Sequence, residues 1–452
     1  QSEIGASVDL RTVAAGRGAA VSGEHDDAVE QPPQRRGRRV IVNAGFLTAL
    51  LMLDYLAPLI VLPVLAHVLE HEAGMFSAVA FSMALVQVAV IFTQYGFQIS
   101  ATQDISIHRD DKAYVAETIG AIYVIQTALF LVVALGIVLF ALNSTQYAEH
   151  KVLLILCLLP VFGQSFQPIW LFLGIEKMKL VTLSGGFAKS TYILLVLLWV
   201  QSPADYIWVP VANGVGQVLA FIVGVWLIYR EGLTITRPSW ARVIGLAKMS
   251  FSFFLSRASI AAYTSGSAVL LGVFGVAGEV GIFLVAEQLY KGITALFNPI
   301  RSAAYPYMAR EQDFRFFYRL IAVLTLVGVV GAGVAYWLGP FVIELLFGPQ
   351  LLGAAPIFNV FLLVVLVNVP AGLLGYVYMG AYHRAHWANY TVIAGCTLHL
   401  IALTIAGSLG PLDASIIVRL VLMTECVVFV ARLLLCVWLA RHQSLPQVGS
   451  TS

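Results

Sequence analysis

Long apolar stretches recur along the chain with short polar joints between them. They lie at about 41–66, 75–100, 114–141, 152–174, 180–200 and 206–229 and, after a basic stretch, at about 247–273, 279–308, 317–338, 354–380, 387–407 and 412–438. Each matches or exceeds the ~20 residues that an α-helix needs to cross a hydrocarbon core. The pattern therefore predicts an all-α polytopic membrane protein with twelve transmembrane helices. Composition points the same way: 60% of the 452 residues are hydrophobic, 11% are charged, and the net charge is +2. A water-soluble reading is excluded by that balance, and so near-neutral a chain gives no reason to expect nucleic acid.

The placement of basic residues tests the count. Alternate joints carry Arg35, Arg36, Arg38 and Arg39, then Arg109 and Lys112, Lys177 and Lys179, Arg230, Arg237, Arg242 and Lys248, Arg310, Arg315 and Arg319, Arg384, and Arg441, whereas the intervening joints carry Lys151 alone. Because basic loops stay inside, both termini are expected in the cytoplasm. Residues 1–38 lack an apolar run and read as a disordered cytoplasmic tail; residues 441–452 read as a second tail.

A weak internal repeat divides the remainder. Ala73-Gly-Met-Phe-Ser77 resembles Val280-Gly-Ile-Phe-Leu284 at an offset of 207, and Trp170-Leu-Phe-Leu-Gly174 resembles Tyr376-Val-Tyr-Met-Gly380 at 206. Two pseudo-symmetric six-helix lobes are expected, over 39–235 and 236–440, related by an axis along the membrane normal because six is even.

Ionisable side chains inside the crossings carry the candidate chemistry: Asp54, Lys189, Arg257, Glu287, Lys291, Arg419 and Glu425. Each costs about 2.5–3.5 kcal/mol at a helix centre, so these groups are expected to face one another or water. In the eighth segment Glu287, Lys291, Thr294, Asn298, Arg301 and Tyr305 follow spacings of 4, 3, 4, 3 and 4, which keeps them on one helix face. Over roughly 27 Å such a stripe fits the lining of a path. The repeat offset sets Gln87, Gln94 and Gln98 of the second segment against it. Glu four residues before Lys also suits a self-contained salt bridge, and Arg301 also suits a snorkelling role near the helix end. Asp54, Glu287 and Glu425 are candidates for proton or sodium coupling, or for neutralising nearby cations. Four scattered cysteines read as buried thiols, His383 and His386 as interfacial residues, and no metal site or cofactor is expected. Nor is a catalytic motif present: no joint between crossings exceeds about 20 residues, which leaves no room for an ATP-binding or catalytic domain, so the chain is not read as an enzyme.

Over residues 40–440 the chain resembles the polysaccharide transport branch of the MOP exporter superfamily, the Wzx-type flippases. The resemblance rests on the two six-helix sets, the Gly-x-Phe openings of the second and eighth segments, Gln167-Pro-Ile-Trp-Leu-Phe-Leu-Gly-Ile-Glu-Lys177, Asn298-Pro-Ile-Arg-Ser-Ala-Ala-Tyr-Pro-Tyr-Met-Ala-Arg310 and Phe347-Gly-Pro-Gln-Leu-Leu-Gly-Ala-Ala-Pro356. It implies a MATE-like fold around a cationic cavity in a bacterial inner membrane. The cargo would be an undecaprenyl-diphosphate-linked glycan of the O-antigen or exopolysaccharide class, moved outward among membrane lipids, with polymerase and chain-length proteins as possible partners. Lys291, Arg257, Arg301, Lys189 and Arg419, with Gln87, Gln94 and Asn298, are the candidate headgroup ligands. Two other readings stay open: an ion-coupled multidrug antiporter, for which Asp54 would be the coupling acid and the cavity net acidic, and a polytopic polymerase or acyltransferase, for which longer outward loops are expected.

Overall fold

The computed structural model describes residues 53–384 and 386–442; the expected tail over 1–38, the four arginines at its end and the chain beyond 442 lie outside the described residues. Within them regular structure is helical throughout, apart from an isolated bridge between Gly275 and Leu412. The first half comprises α1 (Leu53–Val68), α2 (Ala73–Gln94), α3 (Phe97–Ile107), α4 (Lys112–Asn143), α5 (Lys151–Leu156), α6 (Leu158–Ser165), α7 (Ile169–Gly174), α8 (Met178–Trp199) and α9 (Trp208–Arg230). The second comprises α10 (Trp240–Tyr263), α11 (Ser265–Phe274), α12 (Val280–Ala295), α13 (Asn298–Glu311), α14 (Phe314–Phe347), α15 (Ala354–Gly372), α16 (Met379–Ala381), α17 (Trp387–Leu409) and α18 (Ala414–His442). Among the described residues ten helical spans are long and apolar enough to cross a membrane, or eleven if the bent pair α12–α13 is one span. The first expected crossing is described only from Leu53, as α1.

Polar residues set the helix ends. Asp111 accepts hydrogen bonds from the amides of Ala113 and Tyr114 at the start of α4, and Asp313 accepts one from Phe316 at the start of α14, satisfying donors that have no intrahelical partner. Ser239 does the same for Arg242, so α10 begins at Trp240, some seven residues before the expected 247: the cap starts the helix inside the basic stretch. The sequence reading also stops the ninth crossing near 338, at Gly339-Pro340, but α14 runs through that proline to Phe347. A membrane helix tolerates proline where neighbours and local adjustments absorb the lost bond.

Apolar side chains from both halves form the largest core cluster, with Leu62, Phe81, Phe283 and Phe361 fully buried. The two repeat-matched openings meet within it. The Ser77 hydroxyl donates to the Gly278 carbonyl at 2.7 Å and accepts from the Gly281 amide at 3.3 Å. A Cβ on Gly281 would lie 2.7 Å from the Phe76 ring, so only glycine allows this approach.

Several helices are broken, and the breaks place the site. Tyr95 and Gly96 turn left-handed between α2 and α3, with φ of 48° and 74°. Thr264 interrupts α10 and α11, and α12 and α13 meet at a 40° bend. Past Pro370, α15 passes into a π-helical segment, Leu373–Tyr378.

Candidate functional site: a cationic cavity

Side chains from both halves enclose a cavity of about 560 Å³. Asp54 comes from α1, Gln87 from α2, Lys189 from α8, Arg257 from α10, Lys291 from α12, and Asn298 and Arg301 from α13. Of the six-residue stripe read on the eighth segment, Lys291, Thr294, Asn298 and Arg301 line this space although the helix bends midway along it, whereas Glu287 and Tyr305 at its two ends do not. Four cations and one carboxylate line the wall.

The cations differ in how they are held. Lys189 pairs with Asp54 at 3.3 Å, with Asp54 about half-exposed. Lys291 pairs with Glu287 at 2.9 Å and donates to Ser265 Oγ at 3.2 Å; Ser265 donates in turn to Gln87 Oε1 at 3.0 Å. One chain of contacts therefore joins α12, the α10–α11 break and α2. Arg257 has a single long hydrogen bond, 3.4 Å to Gln98 Oε1, and among the described residues no carboxylate within ion-pair distance. Arg301 turns to α15, donating to Asn368 O at 3.0 Å, Asn368 Oδ1 at 3.1 Å and Val369 O at 3.4 Å, while its Nε, though buried, has no partner among the described residues.

Other expected residues sit off the wall. Glu287 is buried behind Lys291, and its Oε2 has no partner among the described residues. Glu425 is buried on α18 and accepts from Asn368 Nδ2 at 3.3 Å. Gln94 accepts from Gln98 Nε2 at 3.1 Å across the α2–α3 break. Arg419 is exposed near the start of α18, away from the cavity. The sequence reading overlooks Tyr55, Gln164, Asn213, Gln288 and Asn368, which share the wall, and it overlooks Arg432, buried on α18. Neutral polar residues give no cost signal in a membrane helix, but Arg432 is a lone charge in Val-Phe-Val-Ala-Arg-Leu-Leu-Leu and was detectable by the same search that found Arg419.

A family model described as "Polysaccharide biosynthesis protein" matches residues 40–312, three-fifths of the sequence. The chain belongs to the polysaccharide biosynthesis protein family. The family's curated relatives include two proteins named "Putative O-antigen transporter". The one from Escherichia coli (strain K12) is 27% identical over 58% of this chain and 63% of its own length; that from Shigella dysenteriae is 26% identical over 66% and 75%. The chain thus spans about three-fifths of the first of these relatives. Among solved structures, an inward-facing multidrug resistance MATE family transporter of the MOP superfamily superposes with a TM-score of 0.66 at 12% identity, over 88% of this chain and 96% of the other. The lipid II flippase MurJ in an inward closed conformation gives 0.65 at 12% identity, over 82% and 87%. These likenesses identify the fold as the MATE-like helical arrangement that the resemblance implied.

Proposed function

We propose that this protein is a flippase that carries a polyprenyl-diphosphate-linked oligosaccharide repeat unit across the bacterial inner membrane by alternating access, without chemical change to its cargo. Twelve crossings in two six-helix lobes, with both ends of the chain cytoplasmic, complete the reading, and polymerase and chain-length proteins would receive the product. The observation that carries it is the excess of cations on the cavity wall. A diphosphate entering a membrane-embedded, low-dielectric surround needs compensating charge, and Arg257, with no carboxylate within ion-pair distance among the described residues, is the group freest to supply it. Lys291, Arg301 and Lys189 add to the field; Gln87 and Asn298 offer neutral polar contacts. Gln94 and Arg419, off the wall, would need a different conformation to take part. Glu287, Asp54 and Glu425 are the coupling candidates, Glu287 first because headgroup binding to Lys291 would remove its partner.

Deletion of the gene followed by analysis of lipid-linked glycans tests the reading. Repeat units should accumulate on the cytoplasmic leaflet; unaltered export and no accumulation refute it. A cation antiporter remains the second reading because Asp54 lines the cavity, although Lys189 already balances its charge.

A further inference from the structure

We infer that Arg432 is a positioning residue for the cationic cavity, acting through the distorted segment of α15 that it shares with Arg301. In the passage from α to π repeat past Gly372 the Leu373 amide donates to the Pro370 carbonyl, and carbonyls fall out of register with their usual donors. Within a membrane such carbonyls need other partners. Two arginines from different helices supply them. Arg301, on α13, reaches the carbonyls of Asn368 and Val369. Arg432, on α18, donates from Nη1 to the Ala371 carbonyl at 2.8 Å and from Nε to Thr391 Oγ1 at 3.1 Å.

Glycines make room for both guanidinium groups. A Cβ on Gly372 would come within 2.6 Å of Arg301 Cζ, and one on Gly375 within 2.8 Å of Arg432 Cζ. Asn368, which lines the cavity, accepts from Arg301 through Oδ1 and donates to Glu425 through Nδ2. The orientation of Arg301 toward the cavity is therefore set by where residues 368–371 lie, and Arg432 holds the end of that stretch at Ala371. Among the described residues Arg432 has no carboxylate within ion-pair distance, so its burial is explained by the carbonyls of Ala371 and, at 3.4 Å, Ala388 and by Thr391. A buried arginine is costly in hydrocarbon; here it holds a backbone on which a wall residue depends. Arg432 itself does not line the cavity.

The inference rests on the flippase reading for its cargo but not for its geometry, and two measurements on the full-length protein separate them. Hydrogen–deuterium exchange of the cargo-free protein should rise over residues 366–378 in Arg432→Ala and in Gly375→Ala, which displaces the guanidinium without removing its charge; unchanged exchange in both variants overturns the clamp. Titration with inorganic pyrophosphate should show each variant binding about tenfold more weakly per folded molecule, the scale of one charge-assisted hydrogen bond. In an Arg301→Ala background the same two changes should add nothing, because the group they position is gone. Arg432→Lys, which keeps one donor, should recover part of the affinity. Additive losses in the Arg301→Ala background overturn the positioning role. If the unaltered protein does not bind pyrophosphate, headgroup recognition fails, while the clamp stands or falls on the exchange result.

Discussion

The buried pair Glu287–Lys291 gives the sharpest separation between a structural and a functional cation. The Glu287 side chain is only 3% exposed and that of Lys291 19%, with 2.9 Å between them. Removing one partner of such a pair leaves an uncompensated charge and costs about 3–5 kcal/mol. Water in the cavity reaches Lys291, so the lower end, about 3 kcal/mol, is expected for Lys291→Ala. Among the described residues Glu287 already has one oxygen without a partner, and none of them is placed to replace Lys291. Changing both residues, as Glu287→Gln with Lys291→Ala, removes the stranded charge and should return all but about 1 kcal/mol. Arg257→Ala is the contrast, since a single 3.4 Å bond contributes no more than about 1 kcal/mol. Melting of the detergent-solubilised protein, followed by size-exclusion profile, should rank Arg257→Ala near the unaltered protein, the double variant slightly below it, and Lys291→Ala clearly lowest. Pyrophosphate affinity should instead fall at least about tenfold in Arg257→Ala. Equal melting of Lys291→Ala and the double variant would refute the buried-pair account. If Arg257→Ala melted as low as Lys291→Ala, Arg257 would be a structural pillar and not a free ligand.

Asp54→Asn should cost less than about 1 kcal/mol, because Asp54 is about half-exposed and such pairs contribute little; glycan export should persist, whereas a cation antiporter would lose transport. Gly281→Ala should cost about 1–3 kcal/mol of stability, read as a lowered melting point, since its methyl would overlap Phe76; wild-type melting would mean that the two matched openings are not tightly packed. Asp104→Asn should destabilise by about 1–3 kcal/mol, because Arg242 Nη2 donates to Asp104 at 2.6 Å and Tyr114 donates to it at 2.8 Å, leaving a half-buried guanidinium short of its counter-charge; unchanged melting would show that Thr118 and the Tyr114 ring suffice.

Helix placement was legible because hydrocarbon length and charge cost act on consecutive residues. The Lys291–Thr294–Asn298–Arg301 stripe was legible for the same reason: helical spacing survives a 40° bend well enough to keep these side chains on one wall. Pairing across the fold was not. Nothing local tells Asp54 that Lys189, far along the chain, will neutralise it, or distinguishes Arg419, which ends exposed, from Arg432, which ends buried against α15. Both are single charges in apolar helices; only the neighbour each meets separates them. Gln94 shows the limit of the repeat. Its counterpart by offset, Arg301, reaches across to another helix, whereas Gln94 is satisfied by Gln98 one turn away.

The length of α14 has a consequence for the surrounding lipid. Its 34 residues extend roughly 51 Å, well beyond the ~30 Å of a typical hydrocarbon core, and its mid-section presents Val323, Leu326, Val330, Val334 and Leu338 outward. Even the stretch between Arg319 and Glu344 measures roughly 38 Å. A rod of that reach must lean strongly or thicken the leaflets around it, at a fraction of a kcal/mol per ångström of mismatch. Acyl-chain length in reconstituted vesicles should therefore tune the protein's working rate, with short-chain lipids penalising it more than long-chain ones.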